Sequence, residues 1–186
     1  MNLKTLTEII HQTHEALLLQ ATKSVNICHT LRNWLIGYHI TEYKLKGQDR
    51  AQYGKNVIEE LALELKAQAV PSCSARRLWE YRKFYQVYPE ILQAVPAELK
   101  SKLNQSVAIP ATMQAVTAES SMTEFPNADV SDIPRLPIAQ LFHSLSFTHF
   151  VELIKIDEPL KRIFYEIEAI RGNWSSRELK RQIGSL

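Results

Sequence analysis

The sequence predicts an all-α protein: a multi-helix domain with a helix-turn-helix-like core and a long N-terminal helix. Three observations predict it. Residues 3–46 contain no proline and one glycine, Gly37, and apolar residues recur there at helical spacing. Later segments are cut by prolines and serines that read as helix stops and starts. The β-branched clusters fall inside helical periods, so no segment makes a convincing strand.

In the first segment Leu3, Ile10, Leu17, Leu31 and Tyr38 are spaced by multiples of seven, and Ala21, Cys28 and Leu35 fill the other half of the stripe. One unbroken helix here would be about 65 Å long, more than a small domain spans. It must therefore break or project its first turns, and a projecting apolar stripe is most simply buried in a homodimer. Gly47-Gln48-Asp49 reads as a turn. Val57, Ile58, Leu61 and Leu65 share one face of the next helix, which ends near Ala69, before Pro71. Ser74 then caps a helix whose buried stripe is Leu78, Tyr81, Tyr85 and Tyr88, closed by Pro89. Residues 90–103 hold one or two short helices around Pro96.

Residues 104–136 differ in composition: Ser, Thr, Ala and Pro dominate, charge is sparse, and Phe125 is the sole aromatic. They read as a linker or disordered excursion. Order returns after Pro137. Ile138, Leu141, Phe142 and Leu145 fit one helix face. Phe147, Phe150, Val151 and Ile154 fit a second, with Ser146 as cap. Asp157-Glu158-Pro159 opens a third helix, with Leu160, Ile163, Phe164, Ile167 and Ile170 expected inside and a Glu158, Arg162, Glu166 series expected outside. The last helix carries a capping box, Ser175 with Glu178, and a staple of Trp174 with Leu179. The expected organisation is a helical arm over 1–25, a helix-turn-helix-like subdomain over 26–103, the linker over 104–136, and helices over 137–186 that pack on the same core.

Composition narrows the function. Hydrophobic residues make up 45% and charged residues 23% of 186, ordinary values for a globular chain with a core. A net charge of +2 is too small to argue for nucleic acid by itself. Cys28 and Cys73 lack metal spacing and make no disulfide framework. The N-terminus lacks the pattern of a signal peptide, and no run approaches a membrane span, so a cytoplasmic location without membrane contact is expected. With five glycines, phosphate-cradling loops are hardly available, and no nucleophile elbow or P-loop is present. His11 and His14 have no third ligand in the pattern. His143 and His149 sit in or beside apolar helix segments, as structural histidines do. Asp129 with Asp132, and Asp157 with Glu158, lack the acid-x-Lys strand of a metal nuclease. No cofactor, metal or catalytic residue is expected.

The chemistry that does stand out is cationic. With the stripe of the Ser74 helix turned inward, its outer face carries Arg76, Trp79, Lys83 and Gln86, with Glu80 beside them and Arg77 and Arg82 flanking. The first turn of a recognition helix enters the major groove, which places Arg76 and Arg77 against phosphates or base edges and Trp79 against sugar or base. An ordinary solvated basic helix fits the same pattern. In and just before the last helix, Arg171, Arg177, Lys180 and Arg181 lie within eleven residues, opposed there by Glu178 alone, and could form a phosphate-contacting flank. A solvated surface reads equally simply there.

The runs AQYGKNVIEELALEL, SARRLWEYRKFYQVYP, LSFTHFVELIKI and KRIFYEIEAIRGNWSSRELKRQI, in that order, resemble the N-terminal domain of the YhcG-like bacterial proteins, predicted nucleases of the PD-(D/E)xK superfamily. The resemblance runs from about Asn26 to Leu186. It implies a helical, helix-turn-helix-like domain that binds DNA, expected as a duplex, ahead of a C-terminal nuclease domain supplied in cis or in trans. It places Ser74, Arg76, Arg77 and Lys83 in the recognition helix. The family's catalytic Asp, Glu and Lys find no positions within these residues. The functional expectation is a non-catalytic DNA-binding module of a nuclease, with Ser74, Arg76, Arg77, Trp79, Lys83, Arg177 and Arg181 at the interface. The alternative is a protein-interaction or dimerisation module that does not touch DNA.

Overall fold

The computed structural model describes residues 2–46, 56–106 and 135–185, and within these the fold is all-α. The Gly47-Gln48-Asp49 turn and most of the 104–136 segment lie outside the described residues. Helix α1, Leu3–Lys46, is a single unbroken helix of 44 residues. It projects: residues 2–26 are all exposed, and burial begins in earnest at Thr30. Leu3, Leu6, Ile10 and Leu17 lie on the exposed length, whereas Leu31, Trp34, Leu35 and Tyr38 lie in the core. One apolar pattern thus has two fates along one helix.

Helix α2, Asn56–Ala67, buries Ile58. It stops because the chain turns left-handed at Ala69, φ 55°. The Val70 N–H then reaches back to the Leu65 carbonyl at 2.9 Å and the Ala69 N–H to that of Lys66 at 3.0 Å. This is a Schellman closure with alanine where glycine is usual. Residues 68–74 connect α2 to α3, Ala75–Val87. Two donors fix that connection from outside. Arg32 of α1 donates to the Pro71 carbonyl at 2.8 Å, and the Tyr81 hydroxyl donates to that of Ser72 at 2.7 Å. Ser74 caps α3, accepting from the Arg77 N–H.

Helix α3 lies directly against α1. A Cβ on Gly37 would stand 2.0 Å from the Tyr81 carbonyl oxygen, so the two backbones meet where only hydrogen fits. Around that crossing Tyr85 packs edge-on against Trp34 and Tyr38, at ring-centroid distances of 5.2 and 5.5 Å. The Trp34 Nε1 donates to the Tyr88 carbonyl at 2.7 Å, satisfying a carbonyl at the end of α3. The buried stripe of α3 includes Phe84, which the sequence reading left out. It touches Tyr88, Phe147 and Phe150.

Pro96 separates the short α4, Ile91–Ala94, from α5, Ala97–Ser106. Helices α6, Ile138–Ser144, and α7, Phe147–Leu153, bury Leu141, Phe142, Phe147, Phe150, Val151 and Leu153 against the helices already described. His149 closes the start of α7 and holds the C-terminal segment to it. Its Nδ1 accepts from the Ser146 N–H at 3.2 Å, and its Nε2 lies 2.9 Å from the Trp174 carbonyl. The imidazole joins two backbone groups.

Helix α8, Pro159–Arg171, is turned differently from the apolar pattern. Leu160 and Phe164, expected inside, are exposed, Phe164 at 51%. Ile163, Tyr165, Glu166 and Ala169 are the buried positions. Glu166, expected on the outer face, is 5% exposed and accepts a hydrogen bond from the Tyr88 hydroxyl at 2.6 Å. A ready donor inside the core lets the carboxyl replace phenylalanine there. The chain leaves α8 through Asn173, left-handed at φ 48°, with Trp174 N–H bonded to the Ala169 carbonyl at 2.9 Å. Helix α9, Ser176–Gly184, then buries Leu179. Only half of its capping box forms: Ser175 Oγ accepts from the Glu178 N–H at 3.2 Å, while the Glu178 carboxylate turns to Arg181 and Gln182.

Candidate nucleic-acid interface

The cationic side chains of α3 begin in its first turn, with Arg76 and Arg77, and continue to Arg82 and Lys83. Ser74 contributes indirectly: its Oγ accepts from the Arg77 N–H, and this cap fixes the direction in which Arg76 and Arg77 leave the first turn. Both arginines converge on one carboxylate. Arg76 Nε lies 3.1 Å from Glu80 Oε1, and Arg77 Nη1 lies 2.8 Å from Glu80 Oε2. Each carboxylate oxygen takes one guanidinium, which leaves further N–H donors on both arginines for an outside acceptor. The Arg76 side chain remains 83% exposed.

Trp79 is exposed on the next turn, with the Arg82 guanidinium carbon 5.5 Å from its ring centroid. That distance is within cation–π range. Lys83 points to the same side but is tied to another element: its Nζ lies 3.0 Å from Asp157 Oδ1, just before α8. The Lys83–Asp157 pair is exposed on both sides and belongs to the class worth about 0–1 kcal/mol, whereas Glu80 is only 14% exposed beneath its two arginines. Helix α3 carries Arg76, Arg77, Arg82 and Lys83 against Glu80.

Sequence reasoning put Arg76, Trp79 and Lys83 on the outward face of this helix with Arg77 flanking; in the structure Arg76, Trp79 and Lys83 are exposed and Arg77 is half-buried. It set Glu80 beside them and missed the pairing of Lys83 with Asp157. The i,i+3 and i,i+4 spacings to Glu80 were visible, but Asp157 is distant in sequence.

The second expected cluster lies apart. Helix α9 does not touch α3, whereas α7 packs against both. On α9, Arg181 pairs with Glu178 at 2.6 Å, and Arg177 is exposed and has no ion pair among the described residues. Hydrogen bonds from Gln182 and Arg181 hold the Glu178 carboxyl below the usual carboxylate range. Among the described residues no three His, Cys, Asp or Glu side chains gather closely enough to hold a metal ion, and no helix is long and apolar enough to cross a membrane.

An all-α body with a projecting N-terminal helix and a capped cationic helix is the architecture in hand, and comparison supplies its class. The chain belongs to the DUF1016 N-terminal domain family, whose model matches residues 5–115 and 120–186. Among curated proteins it is similar to one from Escherichia coli (strain K12) bearing the name "Putative nuclease YhcG", with 31% identity over 179 residues. That match takes in 95% of this chain and 43% of the relative, so the chain spans less than half of the relative's length. No solved structure matches the chain.

Proposed function

We propose that this chain is a non-catalytic DNA-binding module of a bacterial nuclease, and that α3 is the element that meets the duplex. The observation that carries the reading is the pairing of Arg76 and Arg77 on the two oxygens of Glu80 at the capped start of α3. Two guanidinia fixed side by side, with donors to spare, suit the oxygens of neighbouring phosphates or a guanine edge. Trp79 and Lys83 extend the surface by one and two turns. Arg177 and Arg181 serve as a flanking phosphate contact. The name of the Escherichia coli relative supports nucleic acid as the partner class. The likeness to a helix-turn-helix rests on α2 packing against α3; the connection of residues 68–74 is longer than the roughly three or four residues usual in that motif. Binding is therefore mainly electrostatic. A duplex titration at two salt concentrations, with the wild-type chain and with Arg76→Ala/Arg77→Ala, tests the reading.

A second reading, a protein-interaction module, is favoured by a different observation: the exposed apolar residues of the first half of α1. In this reading residues 1–25 form an interaction arm, and residues 26–103 and 137–186 form the body. The two readings use separate surfaces, and in the second the chain shows no salt-dependent DNA affinity.

A further inference from the structure

The seven-residue pattern of α1 runs on through the junction between arm and body. On the arm its seam positions are Leu3, Leu6, Ile10, Thr13, Leu17, Gln20 and Ser24; in the body they are Leu31, Trp34 and Tyr38. In the body this seam is already covered: Tyr85 lies against Trp34 and Tyr38, and the Tyr88 carbonyl accepts from Trp34. On the arm Leu3, Leu6, Ile10 and Leu17 stand in solvent.

The geometry points to the arm of a second copy of this chain as the occupant, running antiparallel. The inference rests on the second reading above, that the arm is an interaction surface. Two features select the occupant. Of the positions flanking the seam, Asn2, Thr7, Ile9, His14, Ala16, Ala21 and Lys23, Lys23 alone carries a fixed charge, at the junction with the body. Identical arms therefore meet without like-charge repulsion, and a strongly charged partner would find no complement. The whole arm carries Lys4 and Lys23 against Glu8 and Glu15, whereas helices that lie on lipid surfaces are basic. The direction follows from sterics. A parallel partner helix following the seam would run on past Ile27 into the space that α3 holds against Trp34 and Tyr38. Because α1 is one unbroken helix, that partner could not bend away. An antiparallel partner uses the seam only over the arm and carries its own body past Leu3. The result is two bodies at opposite ends of a paired shaft, each keeping its α3 face open.

The exposed Cys28 reports the arrangement directly, since Cys73 is buried. In the full chain carrying Cys73→Ser, spin labels on Cys28 give the interprotomer distance while light scattering gives the mass. Antiparallel pairing centred between Ile10 and residue 15 sets the two Cys28 roughly 40–55 Å apart. The expected result is a dimeric mass with that long distance, both lost on Ile10→Glu with Leu17→Glu. A dimer whose Cys28 labels lie within roughly 10 Å of axis separation, plus the label arms, overturns the orientation. A monomeric mass at high protein concentration overturns the second copy as occupant, and with it the arm as a self-association surface.

Discussion

Tyr88 and Glu166 meet inside the core, the hydroxyl donating to the carboxylate oxygen at 2.6 Å. They tie the end of α3 to the middle of α8 across 78 positions of sequence. Burial pushes the Glu166 carboxyl above its usual range, against the pull of the Tyr88 hydrogen bond and of Arg162. Burial, with the carboxylate next to it, pushes the Tyr88 phenol well above its own. Tyr88→Phe removes the donor and leaves the carboxylate buried without it. The expected loss is about 1–3 kcal/mol in denaturant unfolding at neutral pH.

The raised Glu166 value also fixes a pH dependence. Its contribution to stability is fully present below the unfolded carboxyl value, near 4.5, and is lost as pH rises through the higher folded value. Glu166→Gln keeps an acceptor for Tyr88 and cannot ionise. Its stability relative to wild type should therefore improve as pH is raised from about 4 to 7. Paired unfolding curves across that range check the sign; a difference that stays constant contradicts it.

The crossing of α1 and α3 gives a backbone prediction. Gly37→Ala would place a methyl 2.0 Å from the Tyr81 carbonyl oxygen, which is main chain and cannot swing aside. A loss of at least about 1–3 kcal/mol is expected, as for an overpacked core, although alanine favours the helix by itself. Thermal unfolding measures it, and an unchanged midpoint would show that the helices are not in contact there.

Much of this fold is legible in local chemistry. Pro71, Ser74, Pro89, Pro96, Pro159 and Ser175 mark helix limits because each constrains its own backbone or a neighbouring N–H, and the structure places helix ends close to all six. The orientation of α8 was not legible. Phe164 and Leu160 look like core residues and Glu166 like surface, until Tyr88 offers a donor from a distant helix. Gly37 gave no sign of its contact, since the carbonyl it meets belongs to α3. On the candidate interface the basic residues could be read from helical periodicity. The pairing of Lys83 with Asp157 depends on how α3 and the α7–α8 connection are placed together.

That pairing separates binding from stability. The Lys83–Asp157 bridge is exposed on both sides, so Asp157→Asn should change unfolding free energy by less than about 1 kcal/mol. It frees the ammonium group and removes a negative charge from beside α3. Duplex affinity should rise measurably at low salt, and Lys83→Ala should lower it. Fluorescence anisotropy with a labelled duplex checks both directions.

The central claim is that the face of α3 led by Arg76 and Arg77 is a DNA-binding surface. The most direct measurement is a duplex titration of the wild-type chain and of Arg76→Ala/Arg77→Ala at two salt concentrations. The account predicts salt-dependent binding by the wild type. It predicts several-fold weaker binding by the variant, with a salt slope smaller by about 1–2. Wild-type binding that is absent or independent of salt, or a variant that binds as well as wild type, would contradict it.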